Sequence, residues 1–349
     1  MEEGKLPIHL LKDLIILKGS KKKGIIASGE VGSDVAIIDI DKAKKDVQNF
    51  YENYSEVLLV EKSDPITFPT SKPGRYVVII NANDISCSGA LPFGILLTII
   101  CPSNIKYKEI EKIQLQAHQQ CKELGIAILG GHTEISKNVQ QTLVSGHMFG
   151  FVPKDWVVPN ILSVGEKIVV IGNAGIEGTG IIISEAGKYI NTVLSKSEVI
   201  EGKRIGEQLR VVDIALDINK RFKPSLLHDA TEGGIYGALT ELVIYSSVGI
   251  EINSEPPLSP ITKKLSLWLQ FDPYRLISSG ALIVSINSKK SQELVKYLQT
   301  LRIPCKVIGT VTKTTGVVNL GDSIIESPKG DEIITALQNL EAKKNACDD

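Results

Sequence analysis

The sequence predicts an α/β protein of two domains, and three observations support this prediction. The chain has 349 residues, which exceeds what one hydrophobic core usually accommodates and is about the length of two domains. Short apolar segments with strand character alternate with helical patterns along both halves of the chain. The segment 153–165 contains two prolines and precedes a new apolar strand. We therefore place the domains at residues 1–157 and 158–349.

In the first half, two apolar segments predict strands and one amphipathic segment predicts a helix. Val57 to Val60 predicts a short strand that ends before Asp64, because the proline after Asp64 holds that residue extended. Phe93 to Ile100 predicts a buried strand. Tyr107 to Leu124 predicts an amphipathic helix that Gly125 closes.

The segment Tyr76 to Ala90 is compatible with two structures. Its run of Val and Ile favours a strand, whereas helical spacing places Asn81, Asp84 and Ser88 on one face. We expect a helix here. Farther along, an apolar segment leads into a glycine turn at 130–134, and the partial alternation of 142–152 predicts a hairpin.

The second half repeats the βα pattern. Lys167 to Ile171 predicts a strand, and the glycine-rich segment 172–180 leads into a helix that ends near Ala186. Exposed backbone N–H groups at such a turn suit phosphate, and tight packing of the strand against the helix explains the glycines equally well. The spacing matches neither a Rossmann nor a P-loop motif.

Three further elements are predicted in the second half. A helix follows Asp229 and runs through Tyr245, small residues lead into a strand at 277–284, and an amphipathic helix spans Asp331 to Lys343. We expect the residues after it to form a short mobile tail that contains Cys347.

The composition excludes several classes of protein. The chain has 39 Lys and Arg against 40 Asp and Glu, so we expect neither nucleic acid nor an anionic membrane as a partner. The N-terminus shows no signal peptide, and the longest apolar stretch is too short to span a membrane. Five widely separated cysteines favour reduced thiols. We therefore expect a cytoplasmic protein.

Four short motifs each place a carboxylate beside small or turn-forming residues next to an apolar segment. The motifs are Gly29-Glu-Val-Gly-Ser-Asp34, Lys62-Ser-Asp64-Pro, Asn81-Ala-Asn-Asp84 and His228-Asp229-Ala-Thr231. Carboxylates that converge repel one another by about 4 kcal/mol per close pair at an effective dielectric of about 20, so they need a compensating cation. Mg²⁺ prefers such oxygen ligands and usually carries nucleotide phosphates. The motifs therefore predict a site for ATP and Mg²⁺.

The motifs resemble those of the AIR-synthase-related, PurM-like superfamily over nearly the whole chain, and they are most similar to the HypE family of hydrogenase maturation proteins and its archaeal-type relatives. The matching segments are Gly32-Ser-Asp34-Val-Ala36, Ser63-Asp64, Asn83-Asp84-Ile85 with Ser88-Gly89-Ala90, Gly130-Gly131-His132-Thr133, His228-Asp229-Ala-Thr231-Glu-Gly233-Gly234 and Ile277-Ser-Ser-Gly280. The Gly4-Lys-Leu-Pro7 segment also points to the HypE family. The resemblance implies a two-domain PurM-like fold and a homodimer formed through a barrel of N-terminal domains.

The resemblance also implies the residues of the site. Asp34, Asp64 and Asp84 would contact metal and phosphate, Asp229 would add a carboxylate from the second domain, and Asp84 and Asp229 would take part in catalysis. The nucleotide would contact Asp64 and a further set of residues, namely Asn81, Gly130, Gly131, His132, Thr133 and Glu134. For His132, contact with phosphate or base and a structural hydrogen bond are both open.

Two features depart from the family pattern. The chain ends Ala346-Cys347-Asp-Asp and lacks the Pro-Arg-Ile/Val-Cys tail whose thiol the HypE family carbamoylates, and Glu232 stands where the second-domain motif has Arg. Three hypotheses follow: an ATP-dependent enzyme that activates an acceptor oxygen, a HypE-like protein that docks a maturation partner with weak or no catalysis, and a small-molecule kinase related to thiamine-monophosphate kinase. A single Asp can also be an ordinary turn residue, but four in family order favour the first hypothesis.

Overall fold

The structure is a computed structural model that describes residues 2–52, 54 and 56–348, with the backbone alone for residues 347 and 348. The chain divides into two units, Met1–Val157 and Val158–Asp349. In the described part of the chain, no helix combines the length and the apolar character that a membrane span requires. The four cysteines whose side chains are described are free thiols.

The first unit is built on one five-stranded sheet. The strands of the unit, which include a separate pair β2 and β3, are β1 (Gly4–Lys5), β2 (Ile25–Ala27), β3 (Ile37–Ile38), β4 (Val57–Ile66), β5 (Leu91–Cys101), β6 (Ala127–Ile135) and β7 (Leu143–Pro153). Its α-helices are α1 (Ile8–Ile15), α2 (Ile40–Ala43), α3 (Lys45–Phe50), α4 (Pro73–Cys87) and α5 (Tyr107–Leu124). The sheet has the order β1-β6-β5-β7-β4, and β2 pairs with β3 separately. Strands β5 and β6 run parallel, while the other neighbours in the sheet are antiparallel.

Helix α4 packs on one face of this sheet against β4 and β7. Pro73 occupies its first turn, where a missing N–H costs no helical hydrogen bond. Its Val77, Val78 and Ile79 side chains are fully buried, so tertiary packing overrides the strand preference of this segment. The predicted helix is confirmed, as is the helix ending at Gly125, whose φ of +67° closes α5.

The second unit contains a seven-stranded sheet. Its strands are β8 (Lys167–Ile171), β9 (Leu226–Ala230), β10 (Gly249–Ile252), β11 (Ala281–Ile286), β12 (Cys305–Thr312), β13 (Val318–Leu320) and β14 (Ser323–Ile324). Its α-helices are α6 (Ile176–Ala186), α7 (Lys196–Ile205), α8 (Val212–Phe222), α9 (Gly234–Ser246), α10 (Pro260–Leu269), α11 (Ser288–Thr300) and α12 (Glu332–Asp348). The sheet order is β14-β13-β10-β12-β8-β11-β9. An apolar core that includes Ile235 and Leu239 of α9 packs beneath it.

Three expectations about elements are corrected. Strand β4 continues through Asp64 and ends at Ile66, because an edge strand tolerates a proline near its end. Strands β6 and β7 do not form a hairpin, since both pair with β5 and lie on opposite sides of it. Helix α12 extends to Asp348, so the backbone of Cys347 is helical rather than part of a mobile tail, while Asp349 lies outside the described residues.

Candidate functional site

Two aspartates of the first unit lie together on the face of the sheet that α4 covers. Lys62 and Asp64 are two residues apart on β4, so the alternation of a strand places both side chains on the same face. Asp84 reaches them from α4. The Lys62 Nζ atom lies 3.1 Å from Asp64 Oδ2 and 2.8 Å from Asp84 Oδ2. The ammonium group thus bridges the two carboxylates, and the three side chains form what we call the acidic pair with its lysine.

Asn81 fixes the backbone beneath this pair. Its side-chain Oδ1 accepts a hydrogen bond from Asp64 N at 3.0 Å, and its Nδ2 donates to Asp64 O at 3.3 Å. Nδ2 also donates to Val77 O at 2.8 Å within α4. The Asn81 amide thus satisfies both the N–H and the C=O of Asp64. Asn81 is fully buried and positions Asp64 through these hydrogen bonds, while its contact with a nucleotide stays a prediction.

Burial and neighbouring charges act on the ionisation of the acidic pair and of its lysine. Burial raises the pKa of Asp64 to about 6. Lys62 acts to lower this pKa, and Asp84, which shares a hydrogen bond with Asp64, acts to raise it. Burial alone would lower the pKa of Lys62, but Asp84 and Asp64 together raise it. The lysine therefore stays positively charged. It bridges two carboxylates, which repel one another at this distance.

A cavity of about 500 Å³ lies in the first unit on the side of the sheet where Glu61, Leu96 and His147 alternate with buried neighbours. Asp34 lines this cavity, as do four consecutive residues of β6, namely Gly130, Gly131, His132 and Thr133. His132 Nε2 lies 3.0 Å from a carboxylate oxygen of Glu134, two residues along the same strand. The predicted glycine turn is therefore part of a strand that forms a wall of the cavity.

Gly131 is required by the close approach of β5 to this wall. Its φ is +144°, and a Cβ atom added there would lie 1.8 Å from the carbonyl oxygen of Leu97. No side chain fits in that space, so any substitution would push the two strands apart. The glycine lets the backbone of the cavity wall sit directly against the central strand.

In the second unit, the glycine-rich motifs that the sequence analysis singled out meet at one place. The Ser278 N–H donates to Thr231 O at 3.1 Å, and the Gly175 N–H donates to Ser278 Oγ at 2.8 Å. Asp331 accepts hydrogen bonds from Gly233 N at 2.7 Å and from Ile277 N at 3.1 Å. A buried carboxylate thus joins two motifs that lie far apart in the sequence.

Glu177, in the first turn of α6, is a second buried carboxyl group at this place. It is 8% exposed, and within the described part of the chain its Oε2 atom has no hydrogen-bond partner. Burial raises the pKa of Glu177 to about 7, and the negative charges of Asp331 and Glu232 add to this rise, while hydrogen bonds from Ser279 oppose it. Burial removes water from the carboxylate and so makes its ionised form costly, and two negative neighbours add to that cost.

Asp229 lies on β9 in the second unit and is 2% exposed. The four expected metal ligands are therefore not one cluster within the first unit: Asp64 and Asp84 pair, while Asp34 lines the cavity on the other face of the sheet. Among the described residues, no group of three or more His, Cys, Asp and Glu side chains could hold a metal ion. Two carboxylates nevertheless suit Mg²⁺ that arrives with phosphate oxygens, since such Mg²⁺ commonly takes only one or two protein carboxylates.

Comparison with known families decides the relationship. The family model for the N-terminal domain of AIR synthase related proteins matches residues 32–152, and the model for the C-terminal domain matches residues 163–320. The chain belongs to the AIR synthase related family. Its fold is the two-domain PurM-like fold that the sequence predicted.

Three relatives resemble the chain over most of its length. A provisionally named hydrogenase expression/formation protein of Methanocaldococcus jannaschii is 28% identical over 77% of this chain and 80% of its own length. Carbamoyl dehydratase HypE of Escherichia coli is 21% identical over 73% of this chain and 74% of its own length. Thiamine-monophosphate kinase of Nitrosopumilus maritimus is 27% identical over 74% of this chain and 81% of its own length.

Solved structures share the fold. The hydrogenase maturation protein HypE in complex with ATP matches with a TM-score of 0.69 at 18% identity, covering 86% of this chain and 90% of that protein. A chain of the HypE–HypF complex matches with a TM-score of 0.59 at 20% identity, covering 78% of this chain and 90% of that chain.

The sequence analysis assigned no role to four titratable side chains that the structure places at these sites. Lys62 stands two residues before Asp64, and strand periodicity would have placed it beside that carboxylate. His147 faces the cavity from β7, and an isolated His in an alternating strand gave no signal of this. Glu177 and Asp331 come together only through folding, since the sequence separates them by more than a hundred residues.

Proposed function

We propose that the chain binds ATP with Mg²⁺ and uses it to activate an acceptor oxygen, either by phosphoryl transfer or by ATP-dependent dehydration. The observation that carries this proposal is the acidic pair with its lysine. Asp64 and Asp84 are 30% and 25% exposed at their side chains, so solvent and ligands can reach them. Two accessible carboxylates held close together repel one another, and Mg²⁺ that carries nucleotide phosphates compensates their charge.

In this proposal the residues of the first unit bind and orient the nucleotide. Asp64 and Asp84 hold the metal, and Asn81 keeps Asp64 in place through its backbone. Asp34 and the segment Gly130–Thr133 line the cavity on the other face of the sheet, so phosphates held by the acidic pair would not reach them. Mg²⁺, when bound, would neutralise phosphate charge. Phosphoryl transfer depends mainly on such positioning and charge neutralisation, so no protein nucleophile is required.

The relatives support two acceptors. The name of carbamoyl dehydratase HypE suggests a dehydrated carbamoyl group, and that of thiamine-monophosphate kinase suggests a phosphate of a small molecule. Glu232 introduces a negative charge into the second-unit motif and favours an acceptor that differs from those of the relatives that carry Arg.

A second candidate function is that of a maturation protein that docks a partner and has little catalytic activity. The observation that favours it is Glu232, whose negative charge stands where the family motif has Arg and would weaken contact with phosphate. The fold is shared with a chain of the HypE–HypF complex, so a maturation protein is the partner to test.

We further infer a homodimer through the first unit. Leu59 is 52% exposed and Leu96 is 37% exposed, and both lie on the sheet face that helices α4 and α5 leave uncovered. A second copy would bury these apolar side chains.

Titration calorimetry of ATP with and without Mg²⁺, followed by an assay of ADP and phosphate release, tests the function. Thiamine monophosphate and a peptide thiocarbamate serve as the two acceptors. The enzymatic proposal predicts Mg²⁺-dependent ATP binding and release of ADP that one class of acceptor increases. Binding without any turnover would favour the docking protein, and absence of ATP binding would refute the proposal.

A further inference from the structure

Lys62 occupies the position between two carboxylates that a divalent cation would take. Its Nζ atom lies 3.1 Å from Asp64 Oδ2 and 2.8 Å from Asp84 Oδ2. Building on the proposed function, we propose that Lys62 couples metal and phosphate binding. Its ammonium group neutralises the acidic pair before nucleotide binds, and it turns to a phosphate oxygen when Mg²⁺ takes its place.

Repulsion between the metal ion and the ammonium group of Lys62 favours this exchange. A metal ion that contacts Asp64 and Asp84 would lie a few ångströms from the ammonium group, and two cations at that distance repel strongly in a half-buried site. Lys62 must therefore move away for the metal to bind. The place to which it moves must be negative, since a lysine ammonium group is charged at neutral pH and is costly to leave without a partner in a half-buried site.

The Lys62 side chain is free to move, whereas the backbone of Asp64 on the same strand is held in place. The Lys62 side chain is 38% exposed and stands on β4, an edge strand of the sheet. Its flexible stem carries a compact charge that can be redirected at small cost. The residue paired with it on β7 is Met148, which is buried and uncharged. Asp64, by contrast, is held through its backbone by the fully buried Asn81.

The exchange has a consequence for the order of binding. Mg²⁺ alone must displace the ammonium group and leave it without an anionic partner. ATP with Mg²⁺ supplies phosphate oxygens for the ammonium at the same time. Metal and nucleotide should therefore bind together, and Mg²⁺ alone should bind weakly.

The test compares Mg²⁺ alone with Mg²⁺ and ATP by titration calorimetry on the full chain, with Mn²⁺ binding by electron paramagnetic resonance as a second readout of the metal. In Lys62→Gln, we expect Mg²⁺ alone to bind about tenfold more tightly, because its competitor is gone. We expect Mg²⁺ with ATP to bind about tenfold more weakly, because a charge-assisted hydrogen bond to phosphate is lost. The two affinities should thus change in opposite directions.

Lys44→Gln is the matched control, since the Lys44 side chain is also 38% exposed and pairs with Asp41 at 2.7 Å outside the site. It should change neither affinity. Lys62→Arg keeps the charge, so Mg²⁺ alone should bind as weakly as it does to the unmodified protein, and this variant serves if Lys62→Gln does not fold.

The possible results separate the explanations. If both affinities fall in Lys62→Gln, the lysine is a structural support and the inference is wrong. If both rise, Lys62 only competes with the metal, and its contact with phosphate is refuted. If the unmodified protein does not bind Mg²⁺ with ATP, the proposed function fails as well, whereas the other outcomes leave that function standing.

Discussion

The buried carboxyl group of Glu177 makes the stability of the second unit depend on pH. Its ordinary pKa of 4.5 is raised to about 7 in the folded protein, first by burial. The folded state therefore holds a proton that the unfolded state has already released between these two values. The contribution of Glu177 to stability is fully present below about pH 4.5 and is lost as the pH rises through about 7.

The magnitude follows from the size of the shift. One pKa unit corresponds to about 1.4 kcal/mol, so the change from 4.5 to about 7 sets an upper limit of about 3 to 4 kcal/mol of unfolding free energy. Glu177→Gln keeps the size of the side chain and removes the ionisation. We expect this variant to match the unmodified protein near pH 5 and to be more stable by about 2 to 3 kcal/mol at pH 8.

Urea unfolding at pH 5, 6, 7 and 8, followed by circular dichroism, measures this difference. Glu198→Gln serves as the control, because Glu198 lies on the surface and pairs with Lys264, so its replacement should give no stabilisation at pH 8. A constant difference between Glu177→Gln and the unmodified protein at all four pH values would refute the reasoning.

Three further predictions concern the first unit, the assembly and the C-terminus. Asn81→Ala should lower the unfolding free energy by about 3 kcal/mol and weaken binding of Mg²⁺ with ATP, because the Asp64 backbone loses both of its partners. Urea unfolding measures the first effect and calorimetry the second. An unchanged stability would contradict this role of Asn81. Sedimentation equilibrium should give a mass near twice 37.9 kDa if the uncovered sheet face pairs with a second copy, and a monomer at micromolar concentration would rule this out. Cys347→Ser should leave ATP binding and hydrolysis within about threefold of the unmodified protein, because the two aspartates after the thiol would be repelled by nucleotide phosphates. Loss of turnover, or a carbamoyl or cyano adduct on Cys347 found by mass spectrometry, would instead assign the thiol a catalytic role.

Periodicity and capping predicted the local elements well. Helix α5 and strand β8 have the predicted bounds, because a glycine closes the helix and a continuous apolar run forms the buried strand. The pairing of strands was harder to predict. The segments at 127–135 and 143–153 are adjacent in sequence, yet both pair with β5, and this choice depends on packing over the whole sheet.

The candidate site was predicted in part. The sequence motifs identified Asp64 and Asp84, and the structure brings these two together. Motifs could not show that Asp34 lies on the other face of the sheet, since this depends on how the loop before β3 folds over the strands. They also could not show that the buried amide of Asn81 holds the backbone of Asp64. A short motif records which residue types are present, and the fold determines which of them face a ligand.

The central claim is that Asp64 and Asp84 hold the metal of a bound nucleotide. The most direct measurement is calorimetric titration of ATP in the presence of Mg²⁺ into Asp64→Asn and Asp84→Asn, with circular dichroism to show that each variant is folded. Each substitution keeps the shape of the side chain and removes its charge, so we expect the affinity to fall by about tenfold or more in both. An affinity equal to that of the unmodified protein in both folded variants would contradict the account.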